Sequence, residues 1–196
     1  YPKTFRIDPD ACEGCGVCAW FCSEDAITLK PVVNGKLYVS DMRFGPMVHA
    51  KLGIAEENSG KLVTLVRTTA KEIAERENRP LMIVDGSPGV GCPVIATVTG
   101  ADFIVAVTEP TLSGSHDLER IIDLAGHFSI PLAVAVNKWD INEEMTDRIE
   151  SLSQSRGATV LGRIRYDRAV TEAMVRKQTV TEYADSPVTD DIKAVW

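Results

Sequence analysis

A chain of 196 residues, 44% hydrophobic and 25% charged, can bury one substantial core and carry a small appendage. Its formal charge of -7 leaves no basic stripe to neutralise phosphates along a duplex, which argues against nucleic acid as a partner and against an anionic membrane surface. No apolar run approaches the roughly 20 residues that span a bilayer, and no signal core follows the amino terminus, so a cytoplasmic protein is expected.

The chain starts at Tyr1 with no initiator methionine, which reads as a chain cut or processed from something longer. Residues 1–40 have a texture of their own. Short strands are expected at Phe5 to Asp8 and Ala26 to Leu29, with an alternating strand from Lys36 to Ser40 after the Asn34-Gly35 turn. Such a lobe is too small to stand without a staple.

Further on, helices alternate with apolar β-branched runs. A helix capped by Asn58 or Ser59 runs to about Glu77. Leu81 to Asp85 reads as a buried strand, as do Phe103 to Thr108 and Leu132 to Asn137. Helices are expected at Ser115 to His127 and Asn142 to Ser155, and a last strand-helix pair over Thr159 to Arg176. This alternation predicts βαβ crossovers and an α/β fold with a parallel sheet covered by helices on both faces. The polar stretch 184–196 reads as a loosely held tail.

Four of the five cysteines fall within eleven residues. The spacing Cys12-x2-Cys15-x2-Cys18-x3-Cys22 is that of bacterial ferredoxins, in which three closely spaced thiolates reach corners of one [4Fe–4S] cubane. A zinc site or a chance run of thiols is the competing reading. Ser23 stands where ferredoxins usually have proline, and no second motif follows. In two-cluster ferredoxins the fourth cysteine serves the other cluster, so Cys22 is expected to point toward a neighbouring site. Cys92, before Pro93, reads as small packing filler, with ligation as the lesser alternative.

Two stretches suggest a nucleotide site. Leu81 to Asp85 is followed by the glycine-rich Gly86-Ser-Pro-Gly89-Val-Gly91. An acid at the carboxyl end of a parallel strand lies where open sheets bind ligands and can hold magnesium, although Asp-Gly turns are also common after strands. Asn137-Lys138-Trp139-Asp140 resembles the base-reading motif of P-loop proteins, with Asn on the purine edge and Lys along the sugar or ring. The alternative is a polar turn with Asp140 capping the next helix. Glu109-Pro110-Thr111 belongs to the same rim or is a simple turn. The phosphate-loop pattern G-x-x-x-x-G-K-[ST] occurs nowhere. No Ser-His-Asp or Cys-His relation is visible among His49, His116 and His127, so a nucleophilic hydrolase has no support.

The runs Gly45 to Ala50, Glu57 to Val63, Val84 to Val94 and Thr108 to Gly114 resemble the MinD-superfamily P-loop ATPases with an inserted ferredoxin domain, also labelled CobQ/MinD/ParA nucleotide-binding or cobyrinic acid a,c-diamide synthase-like proteins. The resemblance covers most of Ala11 to Tyr183. It implies a P-loop NTPase-like sheet lacking its first strand and phosphate loop, with a half-ferredoxin α+β module in front. The implied division is 1–40 for the ferredoxin half, 41–183 for the incomplete ATPase domain and 184–196 for the tail. It implies Asp85 as the switch acid at magnesium, Gly89 as a γ-phosphate contact and Asn137 as the adenine reader, with Lys138 and Asp140 beside it. Asp167 lies in the stretch that closes over the base, although Arg165 stands where the family tends to have proline.

The function implied is a nucleotide-gated redox switch like the nitrogenase iron protein, a homodimer when intact, with ATP, magnesium and a [4Fe–4S] cluster as cofactors. An iron–sulfur carrier or assembly scaffold is the alternative, and the partner is a redox or iron–sulfur acceptor protein. ATP hydrolysis is expected of the intact protein and not of this chain alone. A positioning ATPase is disfavoured by the acidic charge and short tail. An amide synthase would need a glutaminase for which the chain has no room.

Overall fold

The computed structural model describes residues 6–8, 12, 14–31, 33, 35–53 and 60–196. The chain divides into two units, 1–84 and 85–196.

In the first unit a single helical turn, α1 (Val17–Trp20), follows Gly16, whose φ of 79° is the left-handed conformation that glycine adopts without steric cost. A two-stranded antiparallel hairpin follows. β1 (Gly35–Met42) pairs with β2 (Gly45–Leu52) from Gly35 opposite Leu52 to Met42 opposite Gly45. Helix α2 (Gly60–Arg76) packs against β2 and buries Ile73. An isolated hairpin is marginal in water, so this helix supplies the cover that the two strands lack.

The expected helix before Glu77 is therefore present, while its caps Asn58 and Ser59 lie outside the described residues. Ala26 to Leu29 is not a strand, nor are residues 6–8, and Phe5 lies outside the described residues. β2 was not foreseen. Its Gly-Pro start and His49 and Lys51 blur the period-two pattern by which a strand is recognised.

The second unit is built on α3 (Cys92–Val98), β3 (Ile104–Thr108), α4 (Leu112–His127), β4 (Leu132–Asn137), a 3-10 turn (Trp139–Ile141), α5 (Glu143–Ser155), β5 (Thr159–Ile164), α6 (Arg168–Val175), α7 (Val180–Tyr183) and α8 (Pro187–Val195). The three strands form a parallel sheet in the order β3-β4-β5. β4 is central, and Leu132 to Val136 are all buried, as a continuous apolar run in a parallel sheet should be. Leu132, Val134 and Val136 meet Leu118, Ile122 and Ala125 of α4 and Ile149 of α5 in one core. Burying each Val contributes about 1.5–3 kcal/mol. A bulge after Val134 places Ala135 opposite Gly162, whose φ of 153° is open to glycine and strained for other residues.

Three expectations are corrected. Leu81 to Asp85 forms no strand and is unpaired among the described residues, and Leu81 is 61% and Ile83 73% exposed. Apolar content makes a buried strand only where a ladder partner and a covering layer exist, and no described strand pairs with it. The run from Phe103 is an edge strand whose Phe103, Val105 and Val107 are exposed, so helices do not cover both faces at β3. The stretch 184–196 is no loose tail. It contains α8, which packs on β5 with Val188 and Thr189 fully buried.

Candidate functional site

The carboxyl ends of the parallel strands carry a polar rim. β4 ends at Asn137, and Lys138 follows in the left-handed conformation, φ 55° and ψ 39°, which turns the chain sharply out of the strand. From there Lys138 Nζ donates to Glu109 Oε1, just past the end of β3, at 2.6 Å. Glu109 is held in turn by the first turn of α4. Thr111 N–H donates to the Glu109 carbonyl at 2.8 Å, and the Thr111 side chain caps the helix by accepting from Gly114 N–H at 3.0 Å. A methyl on Gly114 would lie 2.4 Å from the Glu109 carbonyl oxygen, so the close approach needs glycine.

Asp140, on the 3-10 turn, accepts the Tyr166 backbone N–H at 2.8 Å, linking the turn after β4 to the loop after β5. It does not cap α5. Asn142 does that, accepting from Met145 N–H at 3.1 Å. Asp167 caps α6 by accepting from Ala169 N–H at 2.8 Å. Arg165, beside it, is bound to Asp191 of α8, and this hydrogen-bonded pairing holds the Asp191 carboxyl below the usual range. Arg163 bridges Asp147 and Glu150 of α5 and lies over the Trp139 ring. Against these engaged neighbours Asn137 is half-buried, and its side-chain amide has no hydrogen-bond partner among the described residues.

The structure thus brings Asn137, Lys138, Asp140 and Asp167 onto one rim together with Glu109 and Tyr166. Asp85 is exposed and Gly89 has a φ of 82°, and no hydrogen bond or ion pair joins either to that rim. Tyr166 was missed by sequence reasoning because it contributes through its backbone, which no side-chain pattern reveals. Also missed was the pair Ser40 Oγ and His49 Nε2 at 2.9 Å, with Tyr38 stacked on the imidazole. Nine residues separate them in sequence and a hairpin joins them, but no acid orients the histidine among the described residues.

Cys12, Cys15 and Cys18 are exposed and Cys22 is half-buried. Cys22 Sγ accepts the Ala26 N–H at 3.4 Å. Backbone donors, Ala26 first and then Glu24, lower its thiol pKa against the opposing effect of burial. Four thiols on a loop opened by Gly14 and Gly16, both at positive φ, are in number and kind the donor set of an iron–sulfur cluster, although among the described residues no three of them are gathered closely enough to hold a metal ion.

Residues 5–28 match the 4Fe-4S binding domain family. Two uncharacterized proteins of Methanocaldococcus jannaschii are similar to the chain, one 36% identical over 72% of the chain and 58% of its own length, the other 31% identical over 68% and 47%. The chain thus spans about half the length of the curated relatives it matches. Among solved structures, the MinD cell division protein of Aquifex aeolicus matches with a TM-score of 0.55 at 21% identity, covering 74% of this chain and 61% of that one. In the Aquifex aeolicus MinC:MinD complex the values are 0.57, 20%, 80% and 64%. For the Pyrococcus furiosus cell division ATPase MinD they are 0.57, 13%, 70% and 56%. At such identities the likeness is one of fold: an α/β architecture resembling the MinD P-loop NTPase, preceded by a 4Fe-4S binding module.

Proposed function

We propose that this chain is part of an ATP-binding iron–sulfur protein in which nucleotide binding gates electron transfer. The observation that carries the reading is the unengaged Asn137 amide on the carboxyl rim of a MinD-like sheet, in a chain that also holds the ferredoxin cysteine motif. Ligands of open α/β sheets bind at that rim. Asn137 supplies a donor and an acceptor for a purine edge, Lys138 lies beside it, and the loop with Asp167 borders the far side. Asp85 is assigned to magnesium and Gly89 to the terminal phosphate in the intact protein, which is proposed to hydrolyse ATP as a homodimer in the cytoplasm.

In this reading Cys12, Cys15, Cys18 and Cys22 together hold one cluster, in place of the expectation that Cys22 serves a neighbouring site, and a bound cluster would supply one-electron redox chemistry. The backbone N–H groups around Cys22 favour its thiolate, the form that ligates iron. Anaerobic reconstitution with iron counting and electron paramagnetic resonance tests the assignment. About four irons per chain, lost on Cys15→Ser, is the expected result, and zinc alone at full occupancy would exclude it.

A second reading, an iron–sulfur carrier, is favoured by the exposure of Cys12, Cys15 and Cys18. Transfer of iron and sulfide to an apo-acceptor supports the carrier. Reversible reduction without transfer supports the switch.

A further inference from the structure

The rim divides its polar side chains into engaged and free. Lys138 is spent on Glu109 at 2.6 Å, Asp140 accepts the Tyr166 N–H at 2.8 Å, and of Asn137, Lys138 and Asp140 only Asn137 keeps its polar group unengaged among the described residues. The loop after β5 is pinned on both sides of Tyr166, since Arg165 is fastened to Asp191 and Asp167 to Ala169 N–H. We propose that Asp140 is a positioning residue, which ties the turn after β4 to the loop after β5 by accepting the Tyr166 N–H and takes no part in reading the base.

The alternative role for an acid at this position is to accept the ring and exocyclic N–H donors of guanine. Accepting both guanine donors side by side takes both carboxylate oxygens, but Oδ1 already accepts the Tyr166 N–H, which leaves only Oδ2, and turning Oδ1 to a base would leave that N–H without its partner. The contact to the base then falls to Asn137, whose turn is held from one side by Lys138 and Glu109 and from the other by Asp140 and Tyr166.

This inference rests on the nucleotide reading above. It is tested on the full chain with two variants and two readouts. Asp140→Ala removes the acceptor, whereas Asp140→Asn keeps a carbonyl oxygen that can still accept the Tyr166 N–H but replaces a carboxylate oxygen with a donor. The readouts are exchange of the Tyr166 amide proton by nuclear magnetic resonance and titration with ATP and with GTP. In Asp140→Ala, Tyr166 exchange should accelerate and both affinities should fall by the same factor, about fivefold for one hydrogen bond. In Asp140→Asn, exchange and the ratio of ATP to GTP affinity should stay near wild type. A changed ratio in Asp140→Asn, or unchanged Tyr166 exchange in Asp140→Ala, would overturn the positioning role. Wild-type protein that binds neither nucleotide would overturn the nucleotide reading and the inference with it.

Discussion

Arg165 and Asp191 are joined by three hydrogen bonds: the Arg165 backbone N–H at 3.0 Å and its Nε at 2.6 Å, both to Oδ2, and Nη2 at 2.9 Å to Oδ1. Twenty-six residues apart in sequence, they fasten α8 to the end of β5. The stretch expected to hang loose is by this contact part of the second unit, and it fixes the loop on which Tyr166 and Asp167 sit.

Asp191→Asn should therefore lower the melting temperature by a few degrees and speed amide exchange in α8 before the rest of the unit. The pairing lowers the Asp191 pKa from its ordinary 3.8. Its contribution is full above 3.8 and is lost as the pH falls through the depressed folded value, because protonation removes the charge that Arg165 binds. Wild type and Asp191→Asn should thus converge in stability as the pH drops below 3.8. A constant gap between the two across that range would contradict the assignment.

Gly114→Ala should destabilise the second unit by about 1–3 kcal/mol, because the new methyl meets the Glu109 carbonyl at 2.4 Å and the backbone must shift. Urea unfolding measures the loss. An unchanged midpoint would mean that α4 and Glu109 are not so closely packed.

Ile149 is fully buried in the core beneath β4, whereas Val107 is 62% exposed on edge strand β3. Ile149→Ala should cost about 2–5 kcal/mol, and Val107→Thr should stay within about 0.5 kcal/mol of wild type. Equal costs would mean that β3 is covered in solution.

In the proposed reading the rim takes the base, while the sequence contains no G-x-x-x-x-G-K-[ST] loop for the phosphates. AMP and ATP should accordingly bind this chain with affinities within about threefold of each other, since a difference of one hydrogen bond would already exceed that. ATP hydrolysis should not rise above background. Saturable turnover abolished by Asp85→Ala would contradict this.

Much of the second unit was legible in the sequence because its signals are local. The apolar run of β4 and the β-branched runs beside it announce their elements without tertiary information, whereas the caps Thr111, Asn142 and Asp167 were not recognised, and Asp140 stood in the reading as the cap that Asn142 supplies. Asn137, Lys138 and Asp140 were legible as a motif, but the division of labour among them was not. It depends on Glu109, 29 positions from Lys138, and on the Tyr166 backbone, 26 from Asp140. The exposed Leu81 to Val84 and the burial of α8 were misread for the same reason: hydrophobicity reports what a residue would gain from cover, not whether cover exists.

The central claim is that nucleotide on the Asn137 rim alters the redox behaviour of the cysteine site. Its most direct test is a redox titration of the anaerobically reconstituted chain, with and without MgATP, followed by electron paramagnetic resonance. The account predicts a midpoint potential that shifts on adding MgATP and a shift that disappears in Asn137→Ala. A reconstituted protein that binds MgATP yet titrates at the same potential with and without it would contradict the claim.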